Sequence, residues 1–457
     1  SLNEALTILN TIETAKKNGK YYFDPVLPQE YLPNSPLTEN TFQLLKYFVV
    51  QNVEDESKLE SIKNELKKDS RFETAYIKPA LELAIAPDTD LTKIFKPMDN
   101  NQQKTPLFVS RQTYLTKAPA GVDQQAVYNV KGGRGNGIKV VDIELGWDFD
   151  HEDLLYHQGK VISGSNSGDS AYKNHGTAVI ATVAGVDNDF GITGIAPNVS
   201  TIAGASVLDN GRFLYPNFGK TIITAANYLS KGDIIIVELH APGPRCNFRS
   251  CGGQRGYIAM EYWYDNFLAF KYAIEKGIVV TEAAGNGAEN FDDPIYSKRP
   301  SDFPRDWKNP FNRNEADSGL IIVGAGAPPP GSHGRNWGPD RSRLDFSNYG
   351  SAVDVQGYGR EVTTCGYGDL QSGVRQKLYT DQFSGTSSAT PVVSGVSAAV
   401  QGILKAAGKS TLTGPELRKL LRSTGSPQQS NTHQRIGNRP NLAELYQVIK
   451  AQYLNKV

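Results

Sequence analysis

The 457-residue chain has little cysteine, only three residues, and its six histidines form no cluster with them, which excludes a structural zinc site. It has no excess of charge: Lys+Arg and Asp+Glu both count 48, so no overall field favours nucleic acid or an anionic membrane. No run approaches the roughly 18 apolar residues of a transmembrane helix, so no membrane span is expected. The sequence opens at Ser1 without a basic-plus-apolar leader, and the expectation is a signal peptide absent or already removed. Internal repeats and low-complexity tracts are also missing. What remains is the composition of an ordinary soluble globular protein, 39% apolar and 21% charged, long enough for one large domain and a smaller one.

Cys246 and Cys251 stand in one loop, Pro242 to Gly253, where they could close a small disulfide ring. That leans towards an oxidising compartment; the alternative is two free thiols. Cys365 has no obvious partner and reads as a small core residue.

Residues 1–100 are richer in Lys and Glu and poor in Gly. Residues 45–51 read as a strand. Residues 55–68 read as an amphipathic helix with Leu59, Ile62 and Leu66 on one face, and 72–77 as a second strand. A linker of low periodicity follows at 99–106. From 107 onward the pattern alternates. Strands are expected at 138–143, 200–205, 233–239, 278–281 and 320–324, and helices at 176–184, 264–276, 415–421 and 442–451. This is the mark of a mostly parallel sheet covered by helices on both faces, with its chemistry at the carboxyl ends of the strands.

Four residues at such places carry chemistry. Ser387 lies in Gly385-Thr386-Ser387-Ser388-Ala389-Thr390-Pro391, a small-residue turn leading straight into a helix. The free N–H groups and partial positive charge of a helix start suit a nucleophile that must carry negative charge. His175, in Asn174-His175-Gly176-Thr177, is poorly explained by core packing at what reads as a helix start. His151, His157, His333 and His433 sit in polar, loop-like contexts that point to the surface. Asp142 ends a buried apolar strand, where a carboxylate needs a fixed donor such as a histidine N–H, or else caps a turn. Asn286, in Ala283-Ala284-Gly285-Asn286, is a neutral donor after another strand. Carboxylate, imidazole, hydroxyl and amide together make an acyl-transfer site.

The order Asp142, His175, Ser387 and the strings around them resemble the subtilisin-like serine proteases, the subtilase family. Gly194-Ile195-Ala196-Pro197 and Phe346-Ser347-Asn348-Tyr349-Gly350 add to the resemblance, which covers about residues 110–450. It implies a subtilisin-like α/β fold, with a catalytic domain at 107–457 and a small α+β propeptide-like module at 1–100. It implies a serine endopeptidase acting on polypeptides, in which Ser387 attacks, His175 carries the proton, Asp142 orients the imidazole and Asn286 holds the oxyanion. The strand Glu238-Leu239-His240-Ala241 and the segment Ala283-Ala284-Gly285 would bind substrate. A structural Ca²⁺ would be held by Asp153 and by Val186, Asn188, Phe190 and Ile192 of the loop after the histidine helix. The N-terminal segment would act as intramolecular inhibitor and folding aid, with self-cleavage in the region 95–112, and the protein would be secreted.

Two departures stand out. The family has a small residue and a glycine after the aspartate, whereas Asp142 is followed by Ile143-Glu144-Leu145-Gly146-Trp147, which reads as a slightly longer loop holding a carboxylate. A Ser-Leu-Gly-Gly-type strand is replaced by Glu238-Leu239-His240-Ala241. Glu238, with Glu144, would favour a basic residue before the scissile bond; alternatively these groups bond each other or the Arg/Cys loop. An inert cleft and acyl transfer to an amine are the competing readings of function.

Overall fold

Residues 21–32, 36–53, 55–89, 104–209 and 216–456 are described by a computed structural model of the chain. Its N-terminal part carries strands β1 (Tyr22–Pro25), β2 (Phe48–Gln51) and β3 (Glu82–Leu83), with helices α1 (Glu39–Leu44) and α2 (Leu59–Lys68). β1 and β2 pair antiparallel over a small core in which Phe23 and Leu66 are buried against Phe48, Val50, Ile62 and Phe72. The expected strand at 72–77 is instead irregular backbone. Its side chains are held by rings rather than by a ladder: Phe72 stacks on Phe23 at 5.4 Å and Tyr76 meets Phe303 at 5.1 Å. The strand beside β2 is β1 instead; four residues reading Tyr-Phe-Asp-Pro are too short to show alternation. The expected linker at 99–106 lies mostly outside the described residues.

The chain continues with β4 (Lys139–Glu144), β5 (Lys160–Ser163), β6 (Thr201–Ser206), β7 (Ile234–Val237), β8 (Leu239–Pro242), β9 (Tyr257–Ala259), β10 (Val279–Ala283), β11 (Ile321–Gly326) and β12 (Val355–Tyr358). Seven of these form one sheet in the order β12-β11-β10-β7-β4-β6-β5, every pairing parallel. The longer helices are α3 (Ser170–Ala184), α4 (Phe218–Tyr228), α5 (Tyr264–Glu275) and α6 (Thr386–Ala406). A further antiparallel pair, β13 (Val362–Cys365) with β14 (Tyr379–Phe383), brings Phe383 beside His175.

Strand periodicity decides which face each residue joins. Val140, Ile234 and Ile236 pack in the core that contains α3 and α6. Val141, Ile143, Ile235 and Val237 pack in the other, with α4 and α5. Asp142 and Glu144 share the parity of Val140, and Glu238 that of Ile236. All three carboxyls are therefore assigned to the face of the histidine and serine helices. The N-terminal module docks on the opposite helices: Asn40 Nδ2 donates to Leu268 O at 3.0 Å, and the Tyr76 hydroxyl and Lys78 Nζ reach the Asp265 carboxylate at 2.7 and 2.6 Å.

Helix α3 approaches the end of β4 because residue 176 has no side chain. A Cβ there would overlap the Gly146 carbonyl and stand 2.7 Å from the Trp147 ring. Replacing Gly176 by Ala is expected to cost about 3 kcal/mol or more in thermal unfolding, because backbone must move. Gly168, with no atom within 4 Å of such a Cβ, serves as control and should change stability by less than about 0.5 kcal/mol.

Candidate active site

The carboxyl ends of β4, β7 and β10 converge with the starts of two turns. His175 sits five residues inside α3 rather than at its start, because Asp169 caps the helix earlier by accepting from Ala171 N at 2.8 Å. Its Nδ1 is 2.6 Å from Glu144 Oε2, and both groups are fully buried. The carboxyl on the imidazole is thus that of Glu144, not of Asp142 as expected. Asp142 lies two residues earlier on the same face and a pleat further back, where its Oδ2 accepts from Trp147 Nε1 at 2.8 Å. The longer Glu144 side chain, at the last residue of the strand, spans the gap to the histidine.

The sequence held the signal for this. A carboxylate followed by one residue and a glycine is found as Glu144-Leu145-Gly146, so β4 needs no longer loop once Glu144 is aligned with the orienting carboxylate. Burial pushes the Glu144 carboxyl up to about 8 and pulls the His175 imidazole down to about 4. Burial and the neighbouring Glu144 raise Asp142 well above the usual carboxylate range.

Ser387 is the second residue of α6, after Gly385 in a positive-φ conformation (φ 104°). Asn286 follows β10 through the turn Ala283-Ala284-Gly285, which Asn348 fastens by donating from Nδ2 to Ala284 O at 2.7 Å. The Asn286 amide is oriented by Thr386, whose backbone N–H and hydroxyl both donate to Oδ1, at 3.0 and 2.8 Å. That turns Nδ2, the donor, towards the cleft. The expected substrate strand is β8. His240 within it is buried, accepts from Asn286 N at 3.2 Å on Nδ1, and is held uncharged by burial at about 3.

The cleft is filled by the chain itself. β3 pairs antiparallel with β8, with Glu82 opposite His240 and Leu83 opposite Leu239, while β9 covers the other edge of β8. Ala84 N donates to Glu238 O at 3.1 Å, Ser387 N donates to Ala84 O at 3.1 Å, and Asn286 Nδ2 donates to Ile85 O at 2.7 Å. Gly385 permits this approach, since a Cβ there would overlap Ala84 O and stand 2.8 Å from Ala86 N.

Glu238 does not turn towards a cationic partner. Its carboxyl is fully buried, with Asp142 and Glu144 acting on it, and it faces Ser387. Arg245 of the cysteine loop pairs with Glu289 and Asp293, each at 2.6 Å. Cys246 and Cys251 are joined as a disulfide, and Cys365 is a buried free thiol. His151, expected at the surface, is fully buried: its Nε2 lies 2.9 Å from Leu378 O and its Nδ1 accepts from Asp153 N.

The residues expected to hold calcium are brought together, but their donors already serve one another. Asp153 Oδ1 accepts from Asn188 Nδ2 at 2.8 Å, and Oδ2 from Ile192 N at 2.9 Å and the Tyr379 hydroxyl at 2.8 Å. Asn188 Oδ1 is taken by Phe190 N at 3.2 Å, and Val186 N bonds Asp153 O at 2.9 Å. With three N–H and O–H donors, the one carboxylate of this set is already held by protein groups. Among the described residues no group of three or more His, Cys, Asp or Glu could hold a metal, and no helix is long and apolar enough to cross a membrane.

A seven-stranded parallel sheet with a serine, a histidine, a buried carboxylate and an oriented amide at its carboxyl edge defines a subtilisin-like serine protease, a peptide hydrolase. The family model described as Subtilase family matches residues 102–438, and the chain belongs to that family. It is 27% identical over 321 residues to the intracellular serine protease of Paenibacillus polymyxa, covering 68% of this chain and 80% of that one. To subtilisin DY of Bacillus licheniformis it is 25% identical over 296 residues, covering 65% and 86%. Among solved structures it resembles fervidolysin from Fervidobacterium pennivorans, a keratinolytic enzyme, with a TM-score of 0.51 and 21% identity over 80% of this chain. The match spans about half of fervidolysin, 51%. A protease from Pseudoalteromonas arctica gives the same TM-score of 0.51 at 21% identity, over 76% of this chain and 99% of its own.

Because protein donors already hold Asp153, EDTA is expected to leave the melting temperature unchanged. A fall of about 3 °C or more on chelation would restore the calcium site.

Proposed function

We propose that the chain is a serine endopeptidase made as a zymogen, with Ser387 as nucleophile, His175 as proton carrier, Glu144 as the carboxylate that orients it, and its own segment Leu81–Ala86 as first substrate. What carries this reading is the placement of Ala84 between Glu238 O and Ser387 N, with the peptide bond to Ile85 against the nucleophile.

Ser387 Oγ attacks the Ala84 carbonyl carbon and its proton passes to His175 Nε2. Glu144, once ionised, keeps Nδ1 protonated and stabilises the imidazolium. The Ala84 oxygen becomes an oxyanion held by Ser387 N, joined by Asn286 Nδ2, which moves one carbonyl along from Ile85 O. Collapse breaks the bond to Ile85 N, which takes the proton from His175, and water then hydrolyses the Ala84 ester. Until release, residues on the amino side of the cut remain as an inhibitor, held by β8 and by Asp265. Ala84 before the bond, with buried Leu81 three residues upstream, favours polypeptides with a small apolar residue at that point, in place of the basic residue expected from Glu238. The Cys246–Cys251 disulfide supports secretion into an oxidising compartment.

N-terminal sequencing of the purified wild-type protein is expected to yield a chain beginning at Ile85, whereas Ser387→Ala stays intact. A new terminus within 95–112, or an uncut wild type, contradicts the proposal.

A further inference from the structure

Three buried carboxyls and one imidazole meet at the nucleophile, and the mechanism above uses only one of the carboxyls. In the parallel register Ile143 lies opposite Val237, which sets Glu144 beside Glu238 one residue further along. Asp142, Glu144 and Glu238 are all fully buried. Asp142 and Glu144 share a hydrogen bond that one of them must donate, and the Glu238 carboxyl meets the Ser387 hydroxyl. No lysine or arginine of the described residues acts on Glu144 or Glu238. Three carboxylates so placed cannot all be ionised, and the protons they keep must sit among these atoms.

Glu238 holds a special place among them. Its backbone oxygen binds Ala84 N, Ser387 Oγ lies 3.5 Å from that oxygen, and its side chain faces Ser387. We propose that Glu238 is a further positioning residue of the reaction, whose uncharged carboxyl keeps the slot beside Ser387 free of negative charge while the oxyanion forms. The inference rests on the protease reading and goes beyond it, since Asp142, Glu144, His175 and Ser387 could act without a third acidic group.

The groups facing Glu238 fix the sign. From β4 come Asp142 and Glu144, which both raise its pKa, as burial does most strongly; the Ser387 hydroxyl of α6 offsets part of the rise. His175 of α3, which interacts with Asp142, and His240 of β8, which interacts with His175, are both held neutral by burial. Glu238 therefore keeps its proton past the usual carboxylate range and loses it as pH rises. A carboxylate then stands beside the developing oxyanion, and turnover falls on the alkaline side.

The test is the pH profile of kcat/KM for a fluorogenic peptide carrying the Leu81–Ala86 sequence, in the self-processed wild type and in Glu238→Gln. Wild type is expected to lose about tenfold per pH unit on its alkaline limb, as one ionisation demands, while Glu238→Gln keeps its activity there. A variant whose whole profile is scaled down with the limb unmoved shows a merely packing role and overturns the proposal. Where Glu238→Gln does not accumulate, Glu238→Ser is read in the same way. The wild type alone also decides: a rate of fluorophosphonate labelling of Ser387 that falls on the alkaline side supports the proposal, and one that stays flat overturns it. Failure of the protease reading looks different, because the wild type would then take no label at any pH.

Discussion

A hydrogen bond of 2.6 Å between the Glu144 carboxyl and His175 Nδ1 ties together the two parts of the molecule that the chemistry needs. One partner ends the central strand β4; the other lies inside α3, on the helix that covers that face. The bond forms only because α3 comes close, and α3 comes close only because residue 176 is glycine. The Trp147 indole then occupies Asp142, so that the shorter carboxyl, set further back, is engaged elsewhere and the longer one reaches the histidine. Neither group sees solvent, and breaking the pair would leave an uncompensated polar atom in the core.

The second constraint is the strand that closes the cleft. β3 completes the small sheet with β8 and β9, and its continuation puts Ala84 and Ile85 on the donors that the reaction requires. The same segment occupies the Glu238 carbonyl, the Ser387 N–H and the Asn286 amide, so it controls access to the nucleophile. Docking of the N-terminal module through Asp265, far from the nucleophile, links the inhibitor to the helices behind the sheet.

The fold was largely legible in the sequence, since buried parallel strands read as apolar runs and small-residue helices follow them. Ser387, His175 and Asn286 were legible because each stands in a short string with few alternative explanations. The orienting carboxylate was misread. Asp142 and Glu144 have the same parity, and only their distances from the helix and from Trp147 separate them. β3 could not be read at all: two residues give no periodicity, and Ala84 gains its meaning from residues more than 150 positions away, at 238 and 387. The donors around Asp153 were hidden for a similar reason, because Tyr379, which fills one side of it, comes from a distant strand.

Which carboxyl serves His175 decides how the nucleophile is activated. The direct measurement is the rate at which a fluorophosphonate labels Ser387 in Glu144→Gln and in Asp142→Asn. Glu144→Gln should lose about 10³-fold or more, since the imidazole tautomer is no longer fixed, and Asp142→Asn less than about tenfold, since its oxygen still accepts from Trp147. A loss in Asp142→Asn equal to or greater than that in Glu144→Gln would contradict the assignment.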